Sequence, residues 1–263
     1  MTNFVTSKDG TQIGYDKLGS GPPLVIVPGA LAIRTFVFAR KMAENLAKSF
    51  TVYSYDRRGR GDSGDNPTYT VQKEIDDLAA VCAAAGGKPF VVGFSSGAAL
   101  ALHAAAGGVP MQQLYAYEPP FVAAAPGGKP DTEFKPKLEA FRANDQRSEA
   151  VAYFMRTVGV PAIGVAFMKL LPMWKTMKSV AHTLPYDAAI MDRFVVPTAV
   201  LAKVKVPTLV ANGGKTAPNL KAAAEAVAKA VPKAQHRVVP GQTHAVKPEP
   251  MRLALVEAFK PGT

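Results

Sequence analysis

Phe90-Val91-Val92-Gly93-Phe94-Ser95-Ser96-Gly97-Ala98-Ala99-Leu100 runs from an apolar stretch through a G-x-S-x-G turn into an Ala-rich segment. The apolar part reads as a short buried strand and the Ala-rich part as a helix. A serine hydroxyl is a poor nucleophile unless a strained turn holds it and aims it at a base, and a strand-turn-helix supplies such a turn. Gly93 and Gly97 lack the side chains that would keep strand and helix apart around Ser95. Ser96 opens the helix, so its backbone N–H is placed to meet a developing oxyanion. Ser95 is the candidate nucleophile; an ordinary Gly-rich turn is the competing reading.

Outward from this turn the chain alternates apolar strands with helices. Phe4-Val5-Thr6 and Gln12-Ile13-Gly14-Tyr15 flank the turn signal Lys8-Asp9-Gly10 and read as a hairpin. Pro23–Val27 and Thr51–Tyr55 read as strands, with a helix from about Phe36 to Lys48 between them. Val71 to Ala85 carries Ile75, Leu78 and Cys82 at helical spacing. Gln113–Tyr117, Thr208–Ala211 and Gln235–Val239 read as further strands, and Lys221–Ala230 and Glu249–Phe259 as helices. Continuous apolar strands alternating with helices predict a parallel sheet covered on both faces.

The pattern changes after Pro119-Pro120. Residues 122–196 hold no strand signal, open on Ala125-Pro126-Gly127-Gly128-Lys129-Pro130, and then read as helices at Phe134–Ala143, Ser148–Thr157 and roughly Ala162–Val180. Phe154, Met155, Phe167, Met168, Met173, Trp174 and Met177 enrich this stretch. Helix core is the plain reading of each residue; as a unit they predict a helical lid, residues 122–196, with a pliable apolar inner face. The core domain is then 1–121 together with 197–263.

Composition narrows the class. A chain of 263 residues, 48% hydrophobic, buries a sizeable core and is not globally disordered. Met1-Thr2-Asn3-Phe4 has no basic and apolar leader pattern, and no apolar run is long enough to span a bilayer, so a cytoplasmic protein without a membrane partner is expected. Cys82 is the single cysteine, so no internal disulfide forms and no cysteine cluster can bind zinc; no other metal constellation appears, and no cofactor is expected. The net charge of +11 is concentrated in residues 198–263, with 10 basic and 3 acidic side chains. Those lysines are spread singly without interleaved aromatics, which reads as a solvated face rather than a nucleic-acid site.

Three further segments join the turn. Tyr55-Asp56-Arg57-Arg58-Gly59-Arg60-Gly61-Asp62-Ser63 follows a strand, Pro28-Gly29-Ala30 follows another, and Pro240-Gly241-Gln242-Thr243-His244 follows the last. With Gly93–Gly97, these resemble the α/β-hydrolase superfamily over nearly the whole chain. The resemblance implies an eight-stranded, mostly parallel sheet with a cap after the sixth strand, and a nucleophile–acid–histidine triad in that order. His244 is the candidate base, in a loop after the last strand. His103 and His182 fall on helical patterns and His236 opens a strand, where structural roles are expected.

The acid departs from the family's pattern. Many members carry Asp in a G-x-x-D segment after the seventh strand; here it reads Gly213-Gly214-Lys215-Thr216, and 198–263 contains no aspartate. Glu118 remains as the candidate, at the end of the sixth strand, where some relatives such as haloalkane dehalogenases place their acid. Pro119 is expected to keep Glu118 extended. Asp187, Asp192 and a dyad without any acid stay open. The second oxyanion donor is the backbone N–H of Ala30 or Leu31, and Pro28 stands where many members have His. Arg34 and Arg57 are candidates for turn-stabilising or solvated roles, or for reaching a substrate carboxylate.

Serine in place of the aspartate nucleophile of dehalogenases and epoxide hydrolases points to acyl transfer. The expected substrates are an apolar carboxyl ester of small to medium size, and water. Thioesters, lactones, C–C cleavage and perhydrolysis use similar parts. A non-hydrolytic, ligand-binding member of the fold is the alternative, and oligomeric state is not encoded legibly.

Overall fold

A computed structural model describes residues 2–66 and 68–259. Eight strands form one sheet in the order β1-β2-β4-β3-β5-β6-β7-β8. They are β1 Asn3–Thr6, β2 Gln12–Leu18, β3 Pro23–Val27, β4 Thr51–Tyr55, β5 Phe90–Phe94, β6 Gln113–Tyr117, β7 Thr208–Gly213 and β8 Gln235–Val239. Pairing is antiparallel at β1–β2 and β2–β4 and parallel everywhere else. The hairpin therefore sits at one edge of a parallel sheet, as the turn at Lys8-Asp9-Gly10 predicts.

Side chains alternate across the sheet because successive strand residues point to opposite faces. Val25, Val27, Val91, Leu114, Ala116 and Val210 enter one core with α2 (Val71–Ala84), α3 (Ser96–Ala106) and α10 (Pro218–Ala230). Leu24, Ile26, Val92, Tyr115, Leu209 and Ala211 enter the other with α1 (Val37–Leu46) and α11 (Pro248–Ala258). Helices thus cover both faces, and the continuous apolar strands of the sequence are explained by double-sided burial. Cys82 lies within the first core, where burial pushes its thiol up to about 12, consistent with a packing residue.

Between β6 and β7 the regular structure is all helical: α4 Phe134–Ala143, α5 Arg147–Thr157, α6 Ala162–Met168, α7 Pro172–Ser179, α8 Leu184–Met191 and α9 Thr198–Leu201, with short 3-10 turns. The single helix expected over 162–180 is two, because Pro172 takes the first turn of a new helix instead of continuing the old one. Helix α8 falls outside the periodic reading: it is buried almost all round and has no amphipathic signal. Phe134, Leu138, Phe154, Trp174, Met177 and Met191 form a third apolar core with one another and with Leu31.

Candidate active site

Ser95 follows β5 and precedes α3 with φ 54° and ψ −125°, a conformation that is strained for a residue with a side chain. The two flanking glycines make that turn possible. A Cβ on Gly93 would lie 2.6 Å from Ala98 Cα, and one on Gly97 would collide with the carbonyl oxygens of Val27 and Pro28. Strand, helix and the end of β3 therefore close on Ser95 to a distance only glycine permits. The Ser95 N–H donates to Tyr117 O at 3.0 Å, which ties the turn to β6.

Glu118, one residue past β6, is fully buried with its N–H on Ala211 O at 2.8 Å. Its Oε2 lies 2.6 Å from His244 Nδ1. Its Oε1 accepts the Gly213 N–H at 2.7 Å and the Thr216 hydroxyl. Burial works against ionisation, but the bonds from His244, Gly213 and Thr216 outweigh it and hold the carboxyl below its ordinary range. The backbone at Glu118 differs from expectation: φ is +50°, not extended. Pro119 excludes the right-handed helical region, as anticipated, and the chain turns through the left-handed one to carry the carboxylate across to β7.

His244 sits in the loop after β8, with its side chain 47% exposed. Tyr117 OH donates to Thr243 O at 2.7 Å, and Lys215 N–H donates to Gln242 O at 2.8 Å, so the β6 and β7 ends hold this loop. Among the described residues no hydrogen bond joins Ser95 Oγ to the imidazole. Such contacts are commonly loose without substrate and tighten by side-chain rotation.

Asp187 and Asp192 are elsewhere. Asp187 is buried against Arg57, Arg60 and Ser96; Asp192 is exposed beside Arg193. Arg34 is also buried, on Asp56, Asp62 and Asp16, so Arg34 and Arg57 are both paired within the protein rather than solvated, with Arg34 bordering the cavity beside Gly29. Of the other histidines, His236 bonds Asn212 at 2.7 Å, His182 is half-buried facing Asp65, and burial pushes His103 down.

Gly29 lies directly against Ser95: a Cβ there would be 3.2 Å from Ser95 Cβ. The N–H groups of Ala30, Leu31 and Ser96 have no acceptor among the described residues. Beside them opens a cavity of about 570 Å³ lined by Ile26, Phe36, Phe38, Met42, Phe94 and His244, among others. No residue of 122–196 lines it. This cavity is built from the β3–α1 segment and the loop before α11, while the apolar side chains of the helical segment pack in a core of their own.

Sequence reasoning missed Thr216, the Gly213 N–H and Tyr117 as supports of Glu118 and His244. The signal for Thr216 was its position, at the place where an acid is expected. Phe36, Phe38 and Met42 carried no motif; only the apolar density after Pro28-Gly29 marked them.

An eight-stranded, mostly parallel sheet with helices on both faces and a serine on a strained strand-to-helix turn has the α/β-hydrolase architecture. Residues 24–252 match the alpha/beta hydrolase family, and the chain belongs to it. An alpha/beta hydrolase structure from Sphaerobacter thermophilus DSM 20745 is 46% identical, with TM-score 0.89, covering 98% of this chain and 100% of that one. A thermophilic esterase from Thermogutta terrifontis is 23% identical, with TM-score 0.72 and 98% of each chain covered. An esterase from Exiguobacterium antarcticum is 19% identical, with TM-score 0.75, covering 98% of this chain and 99% of that one. The last two likenesses are of fold. Among the described residues no helix is long and apolar enough to cross a membrane, and no group of three or more His, Cys, Asp or Glu could hold a metal.

Proposed function

We propose that the chain is a serine hydrolase acting on a carboxyl ester of a small to medium apolar substrate through an acyl-enzyme. The carrying observation is the buried Glu118 carboxylate 2.6 Å from His244 Nδ1, on the far side of the ring from the nitrogen that would serve Ser95. With its Nδ1–H donated to Glu118, His244 keeps Nε2 as the basic nitrogen. Nε2 takes the Ser95 proton as Oγ attacks the ester carbonyl, and Glu118 stabilises the imidazolium that forms. The tetrahedral oxyanion meets the N–H of Ser96 and of Ala30 or Leu31. Collapse expels the alcohol, protonated by His244; water then attacks the acyl-enzyme with the same base, releasing the acid and restoring Ser95.

The cavity beside Gly29 supports an apolar acyl or alcohol group, since Ile26, Phe36, Phe38, Met42 and Phe94 make most of its wall apolar, with Arg34, Lys41 and Lys247 also among its lining residues. The esterase descriptions of two similar structures agree with this reading. The test is labelling by a fluorophosphonate probe together with turnover of p-nitrophenyl butyrate. The expected outcome is an adduct on Ser95, with both labelling and turnover lost in Ser95→Ala. A folded wild-type protein with no adduct and no turnover would sink the proposal in favour of a ligand-binding role.

A further inference from the structure

Asp187, on α8, is buried and connects parts of the chain far apart in sequence. Its Oδ1 accepts from Arg57 Nη1 at 2.6 Å and from Ser96 Oγ at 2.7 Å, and its Oδ2 accepts from Arg60 Nη2 at 2.6 Å. Glu74 holds Arg57 from the other side, at 2.6 Å and 2.8 Å. Arg60 in turn donates from Nη1 to the Gly29 carbonyl at 2.7 Å and from Nε to Thr183 Oγ1 at 3.0 Å. One buried cluster of two guanidiniums and two carboxylates therefore grips both sides of Ser95. It grips Ser96 by its hydroxyl and the Pro28-Gly29-Ala30 loop by a carbonyl.

The second grip has a geometric consequence. The Gly29 carbonyl and the Ala30 N–H belong to one planar trans peptide, so they point in opposite directions and turn together. Anchoring that oxygen on Arg60 fixes the direction of the Ala30 N–H. The Ala30 carbonyl, which would orient the Leu31 N–H in the same way, has no hydrogen-bond donor among the described residues. We infer that Asp187 is a positioning residue that holds both N–H donors of the oxyanion hole, Ser96 directly and Ala30 through Arg60, and that Ala30 rather than Leu31 is the second donor. This rests on the serine-hydrolase reading above.

Asp187 remains charged in this role: burial opposes ionisation, and the Arg57 and Arg60 guanidiniums outweigh it, holding its carboxyl below the usual range. Two buried charge pairs are costly to desolvate and contribute little net stability compared with apolar packing. Fixing two backbone groups that must not move during reaction is a task that apolar packing performs less well. The same turn contains an internal comparator. Arg58 is buried on Asp77 through two bonds of 2.7 Å and 2.6 Å, and its other partners are Asp9 and Lys73 O. That pair touches nothing beside Ser95.

The experiment compares Asp187→Asn, Ser96→Ala and Asp77→Asn with wild type for turnover of p-nitrophenyl butyrate and for inhibition by phenylboronic acid. The boronate adds to the serine oxygen, and a B–OH of the tetrahedral adduct occupies the oxyanion position. In Asp187→Asn, kcat and boronate affinity are expected to fall at least about tenfold while KM stays within about twofold. Ser96→Ala, which leaves every charge paired, moves both in the same direction by less. Asp77→Asn lowers the melting temperature and leaves both intact. If Asp187→Asn does not fold, Ser96→Ala and Arg60→Lys decide, the latter keeping the charge but losing the fork that reaches Gly29 O. Unchanged kcat and boronate affinity in the folded variants, or equal losses in Asp77→Asn, would overturn the inference while an active wild type left the hydrolase reading standing. A wild type inert toward ester, boronate and fluorophosphonate overturns both.

Discussion

Thr216 donates its hydroxyl to Glu118 Oε1, the carboxylate oxygen that His244 does not use. The two residues come from neighbouring strand ends, β6 and β7, and the Gly213 N–H completes the grip on the same oxygen. Position 216 is where the family's more common pattern has its acid. On the proposed reading, with Glu118 as the acid after β6, the β7 position becomes a donor that steadies it.

Thr216→Val tests this directly, because it keeps the shape and removes the donor. A hydrogen bond to a charged group is worth about 1.5–3 kcal/mol, so a loss of about tenfold or more in kcat at pH 7 is expected. The pH dependence of stability must follow. In the wild type the Glu118 carboxyl lies below its ordinary value of 4.5, so its stabilising contribution is present above about pH 4.5 and is lost as pH falls through the depressed value. Without the Thr216 donor the folded-state value rises toward the ordinary one, so the variant has less of this stabilisation to lose and its stability falls less steeply with acid below about pH 4.5. Urea unfolding at a series of acid pH values would read it. Superimposable wild-type and Thr216→Val curves would show that the hydroxyl does not stabilise the charge.

The turn glycines predict a coupled effect on folding and on the site. Gly97→Ala drives a methyl into the Val27 and Pro28 carbonyl oxygens, which are backbone and cannot swing away. Overpacking of this kind costs about 1–3 kcal/mol, and here the segment displaced leads into Gly29 and Ala30. Thermal unfolding should show a lower midpoint, and turnover at a temperature where the variant is fully folded should still be reduced. Full turnover in a destabilised but folded variant would separate the elbow's packing from the oxyanion loop.

The fold was legible because its signals are local. Phe90–Phe94, Thr51–Tyr55 and Gln113–Tyr117 each announce themselves as apolar runs between turn signals, and the structure has strands with those bounds. Pro172 was as visible as any of these, yet the apolar pattern on both sides suggested one helix where the proline starts a second. Of the candidate site, Ser95 and His244 were marked by motifs, and the missing acid after β7 pointed to Glu118, whose carboxylate meets His244. What escaped was non-local. Asp187 meets Arg57 and Arg60 across more than a hundred residues, and nothing near Asp187 in sequence marks a buried charge. The cavity lining was equally hidden, since the helix expected from about Phe36 to Lys48 does not show which of its residues face the site until the sheet positions it.

That lining makes the last prediction, on substrate length. Met42 is partly buried on α1 and faces the cavity, whereas Met173 is partly buried in the helical core between β6 and β7 and lines no part of it. Met42→Trp adds an indole to the cavity wall and should exclude longer chains first. The expected result is a rise of about tenfold or more in KM for p-nitrophenyl hexanoate, with the acetate changed by no more than about twofold, because one to two kcal/mol of apolar contact is at stake. Met173→Leu, nearly volume-conserving, should leave the chain-length profile as in the wild type and alter only the unfolding midpoint. A profile that shifts with Met173 and not with Met42 would move substrate selection to the helical segment and away from the cavity beside Gly29.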